Sequence, residues 1–217
     1  MSLSESASRL TDQALVIRPA EHQDLPQIAK LLVQLYASEL PGALVGPHQA
    51  QQALLLFVLN AYGGQGLRRR YVLVDHADSV QATAAIQLPD EPTFERAPKG
   101  TIRQALTCLG LRNTAQLLLV VIRSMLVAPH QRPPNSALLH SLVVDERQRG
   151  KGLGSMMMDK LEAEVRTANY QTATLQVLDS NQTAYQLYRR RGYQVFWSSP
   201  AYLHALTWPT HLMHKPL

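Results

Sequence analysis

A glycine-rich turn between an apolar run and a helical pattern constrains this 217-residue chain more than any other feature. The turn reads R-G-K-G-L-G-S over residues 149–155, after the apolar run 138–144 and before a helical pattern that extends to residue 168. A strand, a glycine turn and a helix in this order leave backbone N–H groups unpaired at the helix N-terminus. Free donors and the helix dipole favour an anion there, and glycine lets it approach the backbone. The turn therefore predicts a site for a phosphate-bearing ligand.

Two common phosphate-binding loops do not fit this turn. Ser155 stands where a Rossmann fingerprint requires glycine, and Gly152 follows Lys151 where a Walker A loop requires serine or threonine. The pattern that remains is Arg147-x-x-Gly150-x-Gly152, with basic residues at positions 147, 149 and 151. These three cations add to the positive potential that the helix N-terminus already supplies.

Composition is that of one globular domain with a basic surface. The formal net charge is +5 and the isoelectric point is about 9.5. A single cysteine, Cys108, excludes an intrachain disulfide framework and a cysteine-based zinc cluster, and no metal is expected. Because no zinc-finger, homeodomain or RNA-binding signature accompanies the charge, nucleic acid is not an expected partner. The triplet Arg68–Arg70 is interpreted as solvated surface charge.

Neither the N-terminal residues nor the apolar middle segment indicates a membrane protein. The first residues lack a basic region followed by a long apolar stretch, so residues 1–12 are predicted to be a short N-terminal tail and the location cytoplasmic. The charge-free run of the apolar middle segment, residues 113–122, is too short to cross a bilayer. No membrane span is therefore expected.

Alternating strand and helix patterns predict a single mixed α/β domain over residues 13–217. The predicted order is β-α-α-β-β, a helical insert, then β-α-β-α-β-β. The insert occupies about residues 100–128 and is broken at Gly110, and its apolar character predicts that it packs on the core. Covering a pocket and contacting a second copy remain alternatives for it. Predicted strands are residues 14–18, 71–74, 80–88, 138–144, 172–178, 193–197 and 211–213.

A second motif lies downstream of the glycine turn, in N-Q-T-A-Y-Q-L-Y-R-R-R-G-Y from Asn181 to Tyr193. Ala184 and Tyr188 share one face of a predicted helix, so Tyr188 points inward toward the sheet. The two motifs together closely resemble those of the GCN5-related N-acetyltransferase (GNAT) superfamily, Q/R-x-x-G-x-G/A and N-x-x-A-x-x-x-Y-x-x-x-G-F/Y. This resemblance implies a mostly antiparallel mixed sheet flanked by helices, with the insert before the coenzyme-binding strand.

The resemblance also implies acetyl-CoA as cosubstrate. The strand residues Leu142, Val143 and Val144 would pair with the pantetheine arm, and Asn181 would meet the ligand at a helix start. Splaying of this strand from the next one would admit the cosubstrate. One of the arginines 189–191 would meet the 3′-phosphate, or all three are surface charge. The implied pyrophosphate donors are the backbone N–H groups of Arg149, Gly150, Lys151, Gly152, Leu153, Gly154 and Ser155.

The family chemistry is direct attack of an amine on a thioester, which needs a base for the amine and an acid for the departing thiolate. Tyr188 is the expected acid because it occupies the motif tyrosine position. His140, just before the coenzyme strand, is the expected base because histidine titrates near neutral pH. Glu39 and Glu91 are alternatives, and Cys108 is interpreted as a packed small side chain.

The resemblance therefore implies an N-acyltransferase that transfers acetyl from acetyl-CoA to a primary amine. The acceptor would be an amine-bearing small molecule or peptide, and a homodimer is an open alternative to a monomer. A non-catalytic CoA-binding regulatory module is the alternative function, against which the intact Tyr188 argues. A nucleic-acid binder, indicated only by the isoelectric point, is a second alternative.

Overall fold

A computed structural model describes residues 15–91, 97–125, 133, 135–204 and 207–217. The tail expected at residues 1–12 lies outside the described residues, as does the end of the insert at 126–128. The described residues form a mixed α/β fold with one open sheet. The predicted fold class is confirmed.

Seven strands make up the sheet, in the order β1-β2-β3-β4-β5-β7-β6. Every neighbouring pair is antiparallel except β4 and β5, which are parallel. A mostly antiparallel sheet with one parallel pair at its centre is therefore the frame of the molecule. The strands are β1 Val16–Pro19, β2 Arg70–Val74, β3 Val80–Gln87, β4 Ser136–Val144, β5 Thr172–Leu178, β6 Gln194–Ser198 and β7 Thr210–Pro216.

Helices cover both faces of the sheet, which is why β2 and β3 are buried along their whole length. On one face, apolar residues of the first two helices pack on Val72, Val74 and Val143. On the other face, the helices that follow the glycine turn and Asn181 pack on Leu73 and Leu139. The helices of more than one turn are α1 Leu25–Glu39, α2 His48–Tyr62, α3 Thr101–Met125, α4 Leu153–Thr167 and α5 Gln182–Arg190.

A β-bulge in β4 changes which face its side chains point to. Ala85 pairs with His140 and Thr83 pairs with Val143, so three steps on β4 oppose two on β3. Ser141 carries the irregularity, with a φ of +55°. The extra residue shifts the alternation of side chains between the two faces of β4 by one position. As a result, Leu139 packs in the core on one face of the sheet and Val143 in the core on the other.

The parallel pair β4–β5 opens into a gap after three residue pairs. Pairing runs from Ser136 with Thr172 to Leu138 with Thr174 and then stops, although β4 continues to Val144. On its other side β5 remains paired with β7 along its whole length. The second half of β4 therefore presents backbone groups to the gap, as the expected splay requires.

The insert forms helix α3, and Gly110 breaks it as predicted, with φ +78° and ψ +171°. One face packs on α2, with Ala105 and Leu109 contacting Leu54. The other face is exposed, so the prediction that this segment packs on the core holds for one face only. By length and composition α3 is the one described helix that could cross a membrane, and 22% of its apolar window is buried. The break divides it into two short helices that already lie against the domain.

Candidate functional site

The glycine turn adopts the conformation that its sequence predicts. Gly150 and Gly152 have φ values of +79° and +81°, in the region where a side chain is strained. Gly152 is the N-cap of α4, and no atom lies within 4 Å of where its Cβ would stand. This open space in front of the helix N-terminus leaves room for a ligand to touch the backbone.

Backbone donors of the turn point to that space without partners. Among the described residues, the N–H groups from Gly150 to Gly154 donate to no backbone or side-chain acceptor. The N–H of Ser155 is different, because it donates to the Gly152 carbonyl oxygen at 2.9 Å. Lys151 Nζ donates to Gln148 Oε1 at 2.7 Å, at the exposed rim. Consecutive free donors at a helix N-terminus fit the pyrophosphate of coenzyme A.

A cavity of about 430 Å³ fills the gap between β4 and β5. This volume is within the range of small-molecule sites. Its walls come from both strands, from the end of α1, from the insert and from the start of β7. They comprise Leu35, Tyr36, Glu39, Leu40, Ser124, Leu138, Leu139, His140, Ser141, Leu142, Met158, Leu175, Gln176, Val177, Leu178, Tyr188, Thr207, Trp208 and Thr210.

Tyr188 lies in the wall of this cavity, where the second motif predicts an inward-pointing tyrosine. It is 6% exposed, and its ring packs against Tyr193 with centroids 6.0 Å apart. Burial, followed by the negative charge of Glu39, raises the pKa of the Tyr188 phenol. The phenol is therefore fully protonated at neutral pH, as an acid must be before it acts.

Glu39, at the C-terminal end of α1, is the only carboxylate among the described cavity residues. No ion pair or hydrogen bond of its side chain is found among the described residues. Burial without a cationic partner raises the pKa of Glu39 to about 7. A carboxylate with such a pKa is half-ionised near neutral pH and can take up or release a proton there.

His140 also faces the cavity, from the residue before the β-bulge. The ring is half-buried, and its Nδ1 lies 3.0 Å from the Ser141 hydroxyl oxygen. The strand places this imidazole on the same cavity as Tyr188 and Glu39, so the sequence-predicted acid and base are brought together with a second base candidate.

Asn181 caps α5, because its side-chain Oδ1 accepts a hydrogen bond from the Ala184 N–H at 3.2 Å. The cap satisfies one of the free donors at the helix start. The amide nitrogen of Asn181 is left as the group that could meet a ligand.

The acetyltransferase (GNAT) family profile matches residues 83–193, half of the chain, and includes the second half of β3 and both motifs. The chain belongs to this family. No curated protein sequence is a significant relative of this GNAT chain. In the described residues, no group of three or more histidine, cysteine or acidic side chains could hold a metal ion.

Solved structures share the fold of this GNAT protein across nearly its whole length. A GCN5-related N-acetyltransferase from Kribbella flavida has a TM-score of 0.57 at 18% identity, covering 94% of this chain and 98% of that one. The Escherichia coli ribosomal-protein-S18-alanine N-acetyltransferase has a TM-score of 0.53 at 16% identity and covers 93% of each chain. A chain of the NatC complex bound to Gag peptide and CoA has a TM-score of 0.55 at 13% identity, with coverage of 94% and 98%.

The three consecutive arginines 189–191 of the GNAT chain differ in their contacts. Arg191 pairs with Asp159 and, at 3.4 Å, with Glu162, so this arginine is held by carboxylates and is not available to a phosphate. Arg189 and Arg190 are exposed. For these two residues both interpretations of the sequence stay open: surface charge, and a contact with the 3′-phosphate.

The interpretation of Arg68–Arg70 as solvated charge is wrong for Arg70. Arg70 is 6% exposed, and burial lowers its pKa to about 10. It lies inside because β2 is covered on both faces. Arg69 Nε donates to Glu91 Oε1 at 2.8 Å, and Arg68 Nε forms an ion pair with the same oxygen at 3.1 Å, so this glutamate is an ion-pair partner and does not line the cavity.

Sequence reasoning missed several residues that form the wall of the cavity. Tyr36 comes from α1, Ser124 from the insert, and Thr207 and Trp208 from the segment before β7. These residues are distant along the chain and share no spacing. Only the folded sheet, which places β7 beside β5, brings them to one surface.

Proposed function

We propose that this chain is an acetyl-CoA-dependent N-acetyltransferase that transfers acetyl to a primary amine by direct attack on the thioester. The observation that carries the proposal is one cavity, between β4 and β5, lined by both Tyr188 and Glu39. A proton donor and a proton acceptor on one ligand-sized cavity are what amine acylation needs. The solved relative that contains CoA and a peptide supports both classes of substrate.

In this proposal the glycine turn and the β4 edge hold the cosubstrate. The free N–H groups of Gly150 to Gly154 receive the pyrophosphate, with Arg149 and Ser155 at either end of the turn. The gap beside Leu142, Val143 and Val144 receives the pantetheine arm, which can form hydrogen bonds as a strand would. Asn181 contributes its amide from the start of α5. The thioester then reaches the cavity near Tyr188.

The chemistry requires two proton transfers and no covalent enzyme intermediate. The amine nitrogen forms a bond to the thioester carbonyl carbon, and the carbon–sulfur bond breaks. The amine loses a proton to a base, and the sulfur of the departing thiolate takes the phenolic proton of Tyr188. Burial raises the pKa of the Tyr188 phenol, so the proton stays on its oxygen until the thiolate departs.

Two side chains could serve as the base, His140 and Glu39. His140 keeps its proposed role from the sequence. Glu39 is supported by its pKa of about 7 and by its charge, because a carboxylate attracts a protonated amine and an imidazole does not. We therefore propose Glu39 as the first candidate and His140 as the second.

The pH dependence of kcat/KM should separate these two bases. The base must be deprotonated, so kcat/KM should rise with pH through about 7, and Glu39→Gln should remove this ionisation. His140→Gln should keep it. Wild type and variants are compared with the same amine, so that the titration of the acceptor is common to all profiles. If His140→Gln, and not Glu39→Gln, removed the ionisation, the base would be His140.

The raised pKa of Glu39 also predicts how the stability of the protein depends on pH, which can be measured without an acceptor amine. Glu39 releases its proton at a higher pH in the folded chain than in the unfolded chain, where its pKa is near 4.5. The free energy of unfolding should therefore fall as pH rises from about 4.5 to about 7. Glu39→Gln should flatten this part of the curve, measured by urea unfolding at several pH values.

A panel of amines, amino acids, polyamines and peptides tests the activity itself. Thiol release from acetyl-CoA, followed continuously, should exceed the rate without acceptor for at least one class. Calorimetry on the same protein measures acetyl-CoA binding independently. Tight binding without turnover for every acceptor would favour the non-catalytic CoA-binding module, and absence of binding would contradict both functions.

A further inference from the structure

The second half of α3 carries an apolar face that nothing in the described structure covers. The exposed side chains are 77% accessible at Leu111, 56% at Leu119 and 59% at Ile122. With Ala115 and Leu118 they recur at helical spacing and so form one continuous stripe. We call these five residues, 111, 115, 118, 119 and 122, the apolar stripe.

This stripe is not the core-facing side of the helix. Val120 is buried on the opposite side, Thr114 is buried at one edge of the stripe, and Leu117 packs in the cluster formed with α2. The helix is therefore apolar on two faces, and one of them is already packed against the domain. A contiguous exposed apolar patch of this kind indicates a binding surface.

Charge around the stripe indicates the chemistry of its partner. Helix α3 contains Arg103, Arg112 and Arg123 and no acidic residue. At about 100° per residue, Arg112 and Arg123 fall on the same flank of the stripe. Arg103 and Arg112 are exposed, whereas Arg123 lies over the Trp208 ring at 5.1 Å. An apolar stripe with a purely cationic flank is complementary to an apolar surface with anionic groups at its edge.

A second copy of this chain fits that surface poorly. Two stripes packed against each other in an isologous interface would bring two arginine flanks together, and α3 offers no carboxylate to pair with them. An anionic phospholipid surface has no such conflict, because apolar side chains enter the acyl boundary while arginines bind phosphates. The chain's net charge of +5 acts in the same direction.

We infer that the apolar stripe of α3 docks this protein on the surface of an anionic phospholipid membrane. The break at Gly110 and the packing of α3 on α2 keep the helix in the plane of the surface and not across the bilayer. Ser124, which lines the cavity, lies on the side of α3 opposite the stripe. Docking by the stripe therefore leaves the cavity accessible to a soluble acceptor.

Co-sedimentation of the full chain with vesicles tests the inference. One set contains phosphatidylcholine alone, and in the other about a third of the lipid is phosphatidylserine. The partition coefficient should be roughly 10-fold or more higher on the anionic vesicles, since each interfacial cation contributes about a factor of five. Replacing Leu119 and Ile122 together by glutamine should lower it by at least about 10-fold.

Matched variants separate the stripe from other effects. Val16→Gln changes an apolar residue that is 52% exposed on β1 and should leave vesicle binding unaltered. Arg112→Gln should lower binding to anionic vesicles about fivefold and leave the phosphatidylcholine value unchanged. This single surface variant, together with added salt on the wild type, keeps the test valid if the double variant does not fold.

Three outcomes would overturn the inference. The first is no sedimentation with either vesicle, and the second is equal binding to both. The third is a concentration-dependent dimer in light scattering that the double glutamine variant abolishes, which would assign the stripe to a second copy of the chain. Thiol release from acetyl-CoA is measured in parallel, and stripe variants should retain it with a soluble acceptor.

Discussion

Replacing Tyr188 by phenylalanine should lower the turnover number by roughly 10²- to 10⁴-fold, the range that general acid catalysis supplies. Acetyl-CoA affinity should stay near the wild-type value, because the ring and its packing in the core remain. The loss is confined to the phenolic proton, which the departing thiolate would otherwise receive. Steady-state kinetics give the turnover number, and calorimetry gives the affinity.

Tyr193→Phe is the matched control for this experiment. Tyr193 is a second buried tyrosine of the same core, in ring contact with Tyr188, and its hydroxyl has no hydrogen-bond partner among the described residues. Its loss should not reduce turnover, and it relieves a buried polar group. An equal loss of turnover in both variants would mean that core packing, and not the Tyr188 proton, is responsible.

Gly152→Glu should weaken acetyl-CoA binding by roughly 10²-fold, because hydrogen bonds to a charged group contribute about 1.5–3 kcal/mol each and several are disturbed. The carboxylate would stand in the open space in front of the α4 N-terminus, where the diphosphate is proposed to lie. Repulsion between the two anions adds to the steric loss. Calorimetric titration with acetyl-CoA and with coenzyme A measures the effect.

Two controls separate charge from backbone strain. Gly152→Ala imposes the strain of a side chain at φ +81° with little bulk and no charge, so it should cost much less affinity. Gly110→Glu introduces the same side chain at φ +78° in the insert, away from the turn, and should leave affinity intact. Normal acetyl-CoA affinity in Gly152→Glu would contradict the pyrophosphate assignment.

Local patterns predicted the site residues that lie close together in sequence. Gly152 and Tyr188 could be found because a turn and one helical face each fix residue types at short spacing. The break at Gly110 was equally local. Glu39 and Trp208 could not be placed, since they meet at the cavity only after the sheet has set the order of β4, β5 and β7.

The insert shows a different limit of sequence reasoning. Its apolar residues lie on two faces, so periodicity cannot distinguish the face against α2 from the exposed stripe. Arg70 shows the same limit for charge: three consecutive arginines look alike in sequence, and only burial of β2 separates the inner one from its neighbours.

The gap between β4 and β5 also has a consequence for the lifetime of the protein. Beyond Leu138 and Thr174, two strand edges lie open to each other in the middle of the sheet. Open edges are templates on which other chains add strands, and they begin aggregation. A ligand that pairs with β4 in the gap covers that edge and, at a hundredfold excess over its Kd, stabilises the folded state by about 2.7 kcal/mol. Depletion of such a ligand in the cell would therefore reduce the amount of folded protein as well as the rate of the reaction.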